Sequence, residues 1–147
     1  MGTYNPSNVS DPLQSTGNGG NAVVTFGSTS VTTASANADK YRPCRIPGGT
    51  KVHRVVVKNT DLDSNVSPAI VCKIGYAPID GSTGDDDALG GSSLTILQAA
   101  ATTTYEIFPP VLVEKDSYLE IVVTTGPGTG ATGTVSAKVE GEAVGVK

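Results

Sequence analysis

Short apolar–polar alternations recur along this chain, and no stretch keeps a long 3.6-residue apolar period. The clearest alternation is Lys51-Val-His-Arg-Val-Val-Val-Lys58. Val52, Arg54 and Val56 fall on one face and His53, Val55 and Val57 on the other, and the three successive valines predict an inner strand buried on both faces at that end. In residues 68–76, Ile70, Cys72, Ile74 and Tyr76 form the core-facing set. Residues 117–125 align Leu119, Ile121 and Val123, and residues 131–140 close the sheet with Val135, Ala137 and Val139. Weaker strand patterns cover 22–26 and 28–33, with Gly27 between them as a bulge or hairpin tip. Residues 41–46 read as an edge strand, because Pro43 cannot donate to a ladder. Residues 102–108 return to strand until Pro109-Pro110 stops the ladder, and 111–113 follow. Residues 94–101 hold the one candidate helix, two turns behind a serine cap. Residues 77–93 form a long, acidic, glycine-rich loop.

About eight strands at short spacing with turn signals between them predict an all-β fold. It is a jelly-roll type antiparallel β-sandwich with at most one short helix and an extended N-terminal arm. No fixed-period repeat suggests a propeller or solenoid. Apolar residues make up 37% of the 147 and aromatics 5%. That supply suits a thin core of Val, Ile, Leu and Ala between two stacked sheets. The 13 Ser and 18 Thr favour exposed strand faces and loops.

Residues 1–21 read as the arm and 22–147 as one sandwich domain. Asn5-Pro6, Asp11-Pro12 and Gly17-Asn-Gly-Gly20 punctuate the arm, which alone cannot recover its ordering entropy. It therefore stays disordered or orders on another subunit, with Tyr4 and Leu13 as anchors. The edge strand adds Tyr41, Arg42 and Arg45 as protein-interface candidates.

Net charge is −4 but uneven. Residues 1–73 hold seven basic and four acidic side chains, residues 74–147 three basic and ten acidic. Such asymmetry steers docking to a partner of mixed charge. No basic cluster alternates with aromatics, so nucleic acid is not an expected partner. No apolar run approaches the ~20 residues of a membrane helix, and no secretory signal is visible. Synthesis in a reducing cytosol makes Cys44 and Cys72 small buried hydrophobes rather than a bridge.

Candidate chemistry is sparse. His53 is the single histidine, and no Gly-x-Ser-x-Gly turn accompanies it. Asp61, Asp63 and Asn65, and Asp80 with Asp85–Asp87, could offer oxygens to calcium, but the first set lacks the glycine and distal glutamate of an EF-hand. Asp and Asn also close turns on their own backbone. No tryptophan supplies a sugar platform, and Gly126-Pro-Gly-Thr-Gly130 is no phosphate loop. The expectation is no catalytic, metal or cofactor site.

Together the polar Gly/Asn/Pro arm, Val52-His-Arg-Val-Val-Val57 running into Asn59-Thr-Asp-Leu-Asp63, residues 69–76, and the stretch from Leu94 through Tyr105-Glu-Ile-Phe108 to Tyr118-Leu-Glu-Ile-Val-Val123 resemble a known family. These are the small cement, or decoration, proteins on the heads of tailed bacteriophages, nearest to the jelly-roll type of a short-tailed Bordetella phage. The likeness is one of pattern and size over about residues 20–142. It implies a non-enzymatic virion protein, made in the host cytoplasm, that binds the exterior of an HK97-like shell. Its partners would be the major capsid protein and a second copy of itself in a homodimer. Another virion module, of tail or fibre, and a carbohydrate-binding adhesion domain are the alternatives.

Overall fold

The computed structural model describes residues 1–5, the backbone of 13–14, and 22–144. The turn signals at Asp11-Pro12 and Gly17–Gly20, the side chain of Leu13, and the last three residues of the domain lie outside them. The strands are β1 (Thr3–Tyr4), β2 (Leu13–Gln14), β3 (Ala22–Val31), β4 (Lys40–Tyr41), β5 (Arg45–Ile46), β6 (Thr50–Asn59), β7 (Val71–Pro78), β8 (Gly91–Leu94), β9 (Ala101–Val113), β10 (Ser117–Thr125) and β11 (Gly133–Ala143). They form two sheets, ordered β1-β4-β10-β7-β8 (with β5 also on β10) and β2-β3-β11-β6-β9.

Leaving β1 and β2 aside and counting β4 and β5 as halves of one strand split at Pro43, the count is the expected eight. They nest as a rolled double ribbon: β3 pairs β11, β4 and β5 pair β10, β6 pairs β9, and β7 pairs β8. This is a jelly-roll sandwich. All these ladders are antiparallel; only β1 runs parallel to its neighbour β4. The core is aliphatic, with Val52, Val55, Val57, Ile74, Leu119, Ile121, Val135 and Val139 all fully buried. Cys44 and Cys72 are buried and unbridged, and burial pushes both thiols up to about 12.

Three local expectations change. Gly27 is neither bulge nor hairpin tip: it lies mid-strand opposite Ala137, in a ladder without a register break. A Cβ there would fall 2.3 Å from the Pro43 carbonyl oxygen, so glycine lets the opposite sheet's edge segment approach. In β6 the alternation breaks where Glu140 and Gly141 face Arg54 and Val52. His53 is the extra residue, so Val52 joins Val55 and Val57 in the core while Arg54 and Val56 face outward. The same break appears across the strand, where Glu106 and Val111 face Arg54 and Val52. The Pro109-Pro110 pair does interrupt the ladder, yet β9 resumes beyond it.

The two-turn helix at 94–101 shrinks to a 3-10 turn, Ile96–Gln98. Leu94 belongs to β8, and Ser93, the expected cap, holds φ 61°. The Asn59 amide explains the stop: it donates to the carbonyls of Thr60 (2.7 Å), Ile96 (3.0 Å) and Ala99 (2.9 Å), and Ala99 is extended. The turn drives Leu97, fully buried, into the core. Leu97→Ala is expected to cost about 2–5 kcal/mol. Urea unfolding should show a lower midpoint at unchanged slope, and a loss below about 1 kcal/mol would remove Leu97 from the core.

Candidate interaction surfaces

The described start of the arm lies on its own sandwich, so it takes neither of the two expected fates. Pro43 cuts the edge strand short, leaving the outer N–H groups of β4 to be satisfied. Lys40 donates to the Gly2 carbonyl and Arg42 to that of Tyr4, both at 2.9 Å. Gly2 N–H donates to Asp39 Oδ1 at 2.6 Å, and Thr29 Oγ1 donates to the Asn5 carbonyl at 2.8 Å. The half-buried Tyr4 ring lies 5.2 Å from that of Tyr41, and its hydroxyl is 2.7 Å from Thr33 Oγ1. Further along, the backbone of Leu13 faces Val24 of β3.

Tyr41 is no surface contact. It sits opposite Ile121, and facing residues in a ladder share a side, so its ring enters the core. Its hydroxyl bonds Ser35 Oγ at 2.5 Å, and burial pushes its pKa to about 12. Arg42 points outward instead. Its Nη2 and Nε lie 2.7 Å and 2.8 Å from Glu120 Oε2, and its guanidinium stands 5.1 Å over the Tyr118 ring. Lys40 Nζ is 3.3 Å from Glu120 Oε1. These cations leave Glu120 only 3% exposed although it faces away from the core. Arg45, half-exposed on β5, makes no ion pair among the described residues. Of the five interface candidates, Arg45 is without an ion pair among the described residues, Tyr4 and Arg42 are engaged within the chain, Tyr41 is core, and Leu13's side chain lies outside the described residues.

Register lays the outer face of the other sheet in rows. One row runs Val24, Glu140, Arg54, Glu106, and the next Phe26, Lys138, Val56, Thr104. Arg54 bridges Glu106 (2.6 Å) and Glu140 (3.1 Å) across three strands. Lys138 and Arg54 hold the Glu140 carboxyl below its usual range. Phe26 is 50% exposed in this face. At the strand edge Phe108 is 95% exposed, beside an open groove of about 270 Å³ between β8 and β9. Phe108 shares the outward positions of β9 with Thr102, Thr104 and Glu106, while Tyr105 and Ile107 turn toward the core, so the alternation of the strand itself accounts for its exposure.

Six of the ten acidic residues of positions 74–147 lie in one loop and one turn. Asp80, Asp85, Asp86 and Asp87 come from the β7–β8 loop, Glu114 and Asp116 from the β9–β10 turn. Ile79 N–H bonds the Asp116 carbonyl at 2.9 Å, and Lys115 Nζ lies 2.8 Å from Asp80, holding that carboxyl well below its usual range. Asp86 pairs with Lys73. The hydrogen bond with Asp85 pushes Asp87 upward, helped by desolvation and the neighbouring charges.

The other aspartate group serves the backbone. Asp63 is 1% exposed. Its Oδ2 accepts N–H groups of Ala69 (2.6 Å), Ile70 (3.0 Å) and Gly128 (3.0 Å), and its Oδ1 those of Thr129 (3.0 Å) and Asn65 (3.3 Å). Asp61 and Asn65 close turns on the amides of Asp63 and Ser67. The Asp63 carboxylate thus ties two loops together, a role no local motif announces. His53 is exposed, with Nε2 3.7 Å from Glu142 Oε1.

Neither a protein-family model nor a curated protein sequence matches the chain. Among solved structures, it is similar to a chain of the cyanophage Pam1 capsid asymmetric unit, with TM-score 0.71 and 27% identity over 92% of this chain and 93% of that one. A chain of the capsid of Ralstonia phage GP4 shares the fold, with TM-score 0.66 and 20% identity over 87% of each. The structural neighbours of this chain are components of phage capsids.

Proposed function

We propose that this chain is a non-enzymatic virion protein that binds the outside of a phage head and cements contacts between major capsid protein subunits of an HK97-like shell, acting as a homodimer. The observation that carries this reading is the end-to-end likeness to a chain of a phage capsid asymmetric unit at 27% identity. The surface supports it. His53, the one imidazole, stands beside a carboxylate on an open strand face, and Asp63 is committed to backbone amides. What the surface does offer is an acidic β7–β8 loop, an Arg45 without an ion pair among the described residues, and exposed Phe26 and Phe108, which are elements of protein docking.

A small sandwich can reinforce a shell through modest individual contacts. A dimer straddling two capsomers gains effective concentration from its second contact, so a contact of about 800 Å² per partner suffices. Purified protein incubated with bare expanded heads should co-sediment with them and saturate at a fixed copy number. Absence from the head fraction at micromolar concentration would overturn the reading.

A further inference from the structure

In the sheet order, β9 ends its sheet, so Ala101–Glu106 pairs β6 on one side and leaves its other backbone edge open. Among the described residues the other edges are short, except β3, where β2 pairs only Val23 and Val24 and Thr25–Val31 has no strand beyond it. Two-residue β1 and β2 flank β4 and β3, β5 has two residues, and β8 has four with a register break. Ala101-Thr-Thr-Thr-Tyr105 carries none of the Lys, Pro or bulge that usually blunts an edge. The break at Pro109 and Pro110 closes off one end only.

We infer that two copies of this chain join by antiparallel pairing of their β9 edges, about a two-fold axis at Thr104. This rests on the dimeric part of the proposed function and gives that dimer its surface.

Symmetry narrows the register. Along an antiparallel ladder, hydrogen-bonded and non-hydrogen-bonded pairs alternate, so a two-fold axis must relate a residue to its own copy. The regular run 101–106 allows Thr103 or Thr104 at the centre. Centring on Thr104 sets Thr102 opposite the partner's Glu106. Because Lys58 faces Thr102 and Arg54 faces Glu106 within each copy, one row then reads Lys58, Thr102, the partner's Glu106, the partner's Arg54.

The charges fit this row. Glu106 is 66% exposed, and Lys58 has no ion pair among the described residues. Two strand spacings separate their backbones by about 10 Å, within the joint reach of the two side chains. On the inner face, each half-buried Tyr105 ring lies against the partner's Thr103, an aromatic–β-branched pair. Centring on Thr103 instead would send Glu106 past the end of the run and leave Lys58 without a carboxylate.

The test is sedimentation equilibrium on the full chain, on T104K, on T104E, and on an equimolar mixture of the two variants. Wild type should be dimeric. Each variant sets like charges face to face at the axis and should weaken its dimer about fivefold or more at unchanged Tm, and the mixture should recover a heterodimer. A wild type that stays monomeric at high concentration overturns the dimeric reading and this seam with it. A wild-type dimer that neither substitution weakens overturns the β9 seam and leaves the dimeric reading standing. Weakening without recovery on mixing overturns the Thr104 register. Amide exchange on the wild type tests the seam without any substitution. Every second amide of 101–106 should be protected in concentrated solution and exchange quickly on dilution, and protection independent of concentration overturns the seam.

Discussion

Replacing Asp63 with alanine is expected to lower Tm by on the order of 10 °C, the largest loss from any single polar side chain here. Desolvation alone would raise the pKa of this carboxyl. The backbone N–H groups of Thr129, Ala69, Gly128 and Ile70 outweigh it and hold the group below the ordinary carboxylate range. Alanine would leave those donors unmatched at the junction of the β6–β7 and β10–β11 loops.

The sign of the pH dependence follows. A depressed folded-state pKa contributes stability that is fully present above the unfolded value of about 4, and is lost as pH falls below it. Asp63→Asn removes that dependence, because an amide does not titrate. Its deficit relative to wild type should therefore be greatest near neutral pH and shrink between about pH 4 and pH 2. Calorimetry across that range is the measurement. A Tm for the alanine variant within about 2 °C of wild type, or an asparagine deficit that does not change with pH, would sink this account.

Gly75→Val is the second large effect. Gly75 lies on the outward side of β7 opposite Glu120, and the acidic loop lies flat against it. A Cβ there would fall 2.0 Å from the Asp85 carbonyl oxygen and 2.3 Å from the Asp86 carbonyl carbon. That close approach permits reciprocal backbone bonds between Tyr76 and Asp85 (2.8 and 3.1 Å) and a bond from Leu89 N–H to the Ile74 carbonyl (3.0 Å). Leu89 is thereby fully buried.

Valine would expel the loop and draw Leu89 from the core, at about 1.5–3 kcal/mol for that side chain alone. We expect a Tm lowered by roughly 5–10 °C and rapid cleavage by an aspartate-directed protease at Asp85–Asp87. Wild-type Tm with wild-type resistance to that protease would show that the loop does not depend on contact with β7.

The strand positions were readable because a period of two survives in sequence wherever one face is buried. Ile70, Cys72 and Ile74, the set Leu119, Ile121 and Val123, and Val135 with Val139 all face the core as their spacing implied. Failures came where contacts distant in sequence overrode the local signal. The helical signal at 94–101 lost to the Asn59 amide, whose partners lie 37 and 40 residues away. Alternation in β6 failed at a bulge set by its neighbours, and Gly27 answered to Pro43 on the opposing sheet rather than to a turn. Tyr41 looked like an edge contact because an aromatic beside Arg42 carries no mark of which side it faces; only its register with Ile121 says so.

By itself, the sequence determined the all-β class, the thin aliphatic core and the approximate strand count, since these depend on periodicity and composition. The tertiary structure alone decided the nesting of first strand with last, the docking of Gly2–Asn5 on β4, the Asp63 tie and the open edge of β9. Each of these joins residues far apart in the chain, through backbone groups that every residue carries alike. Pairing among such groups is chosen by the closure of the whole sandwich, and no local run of side chains encodes it.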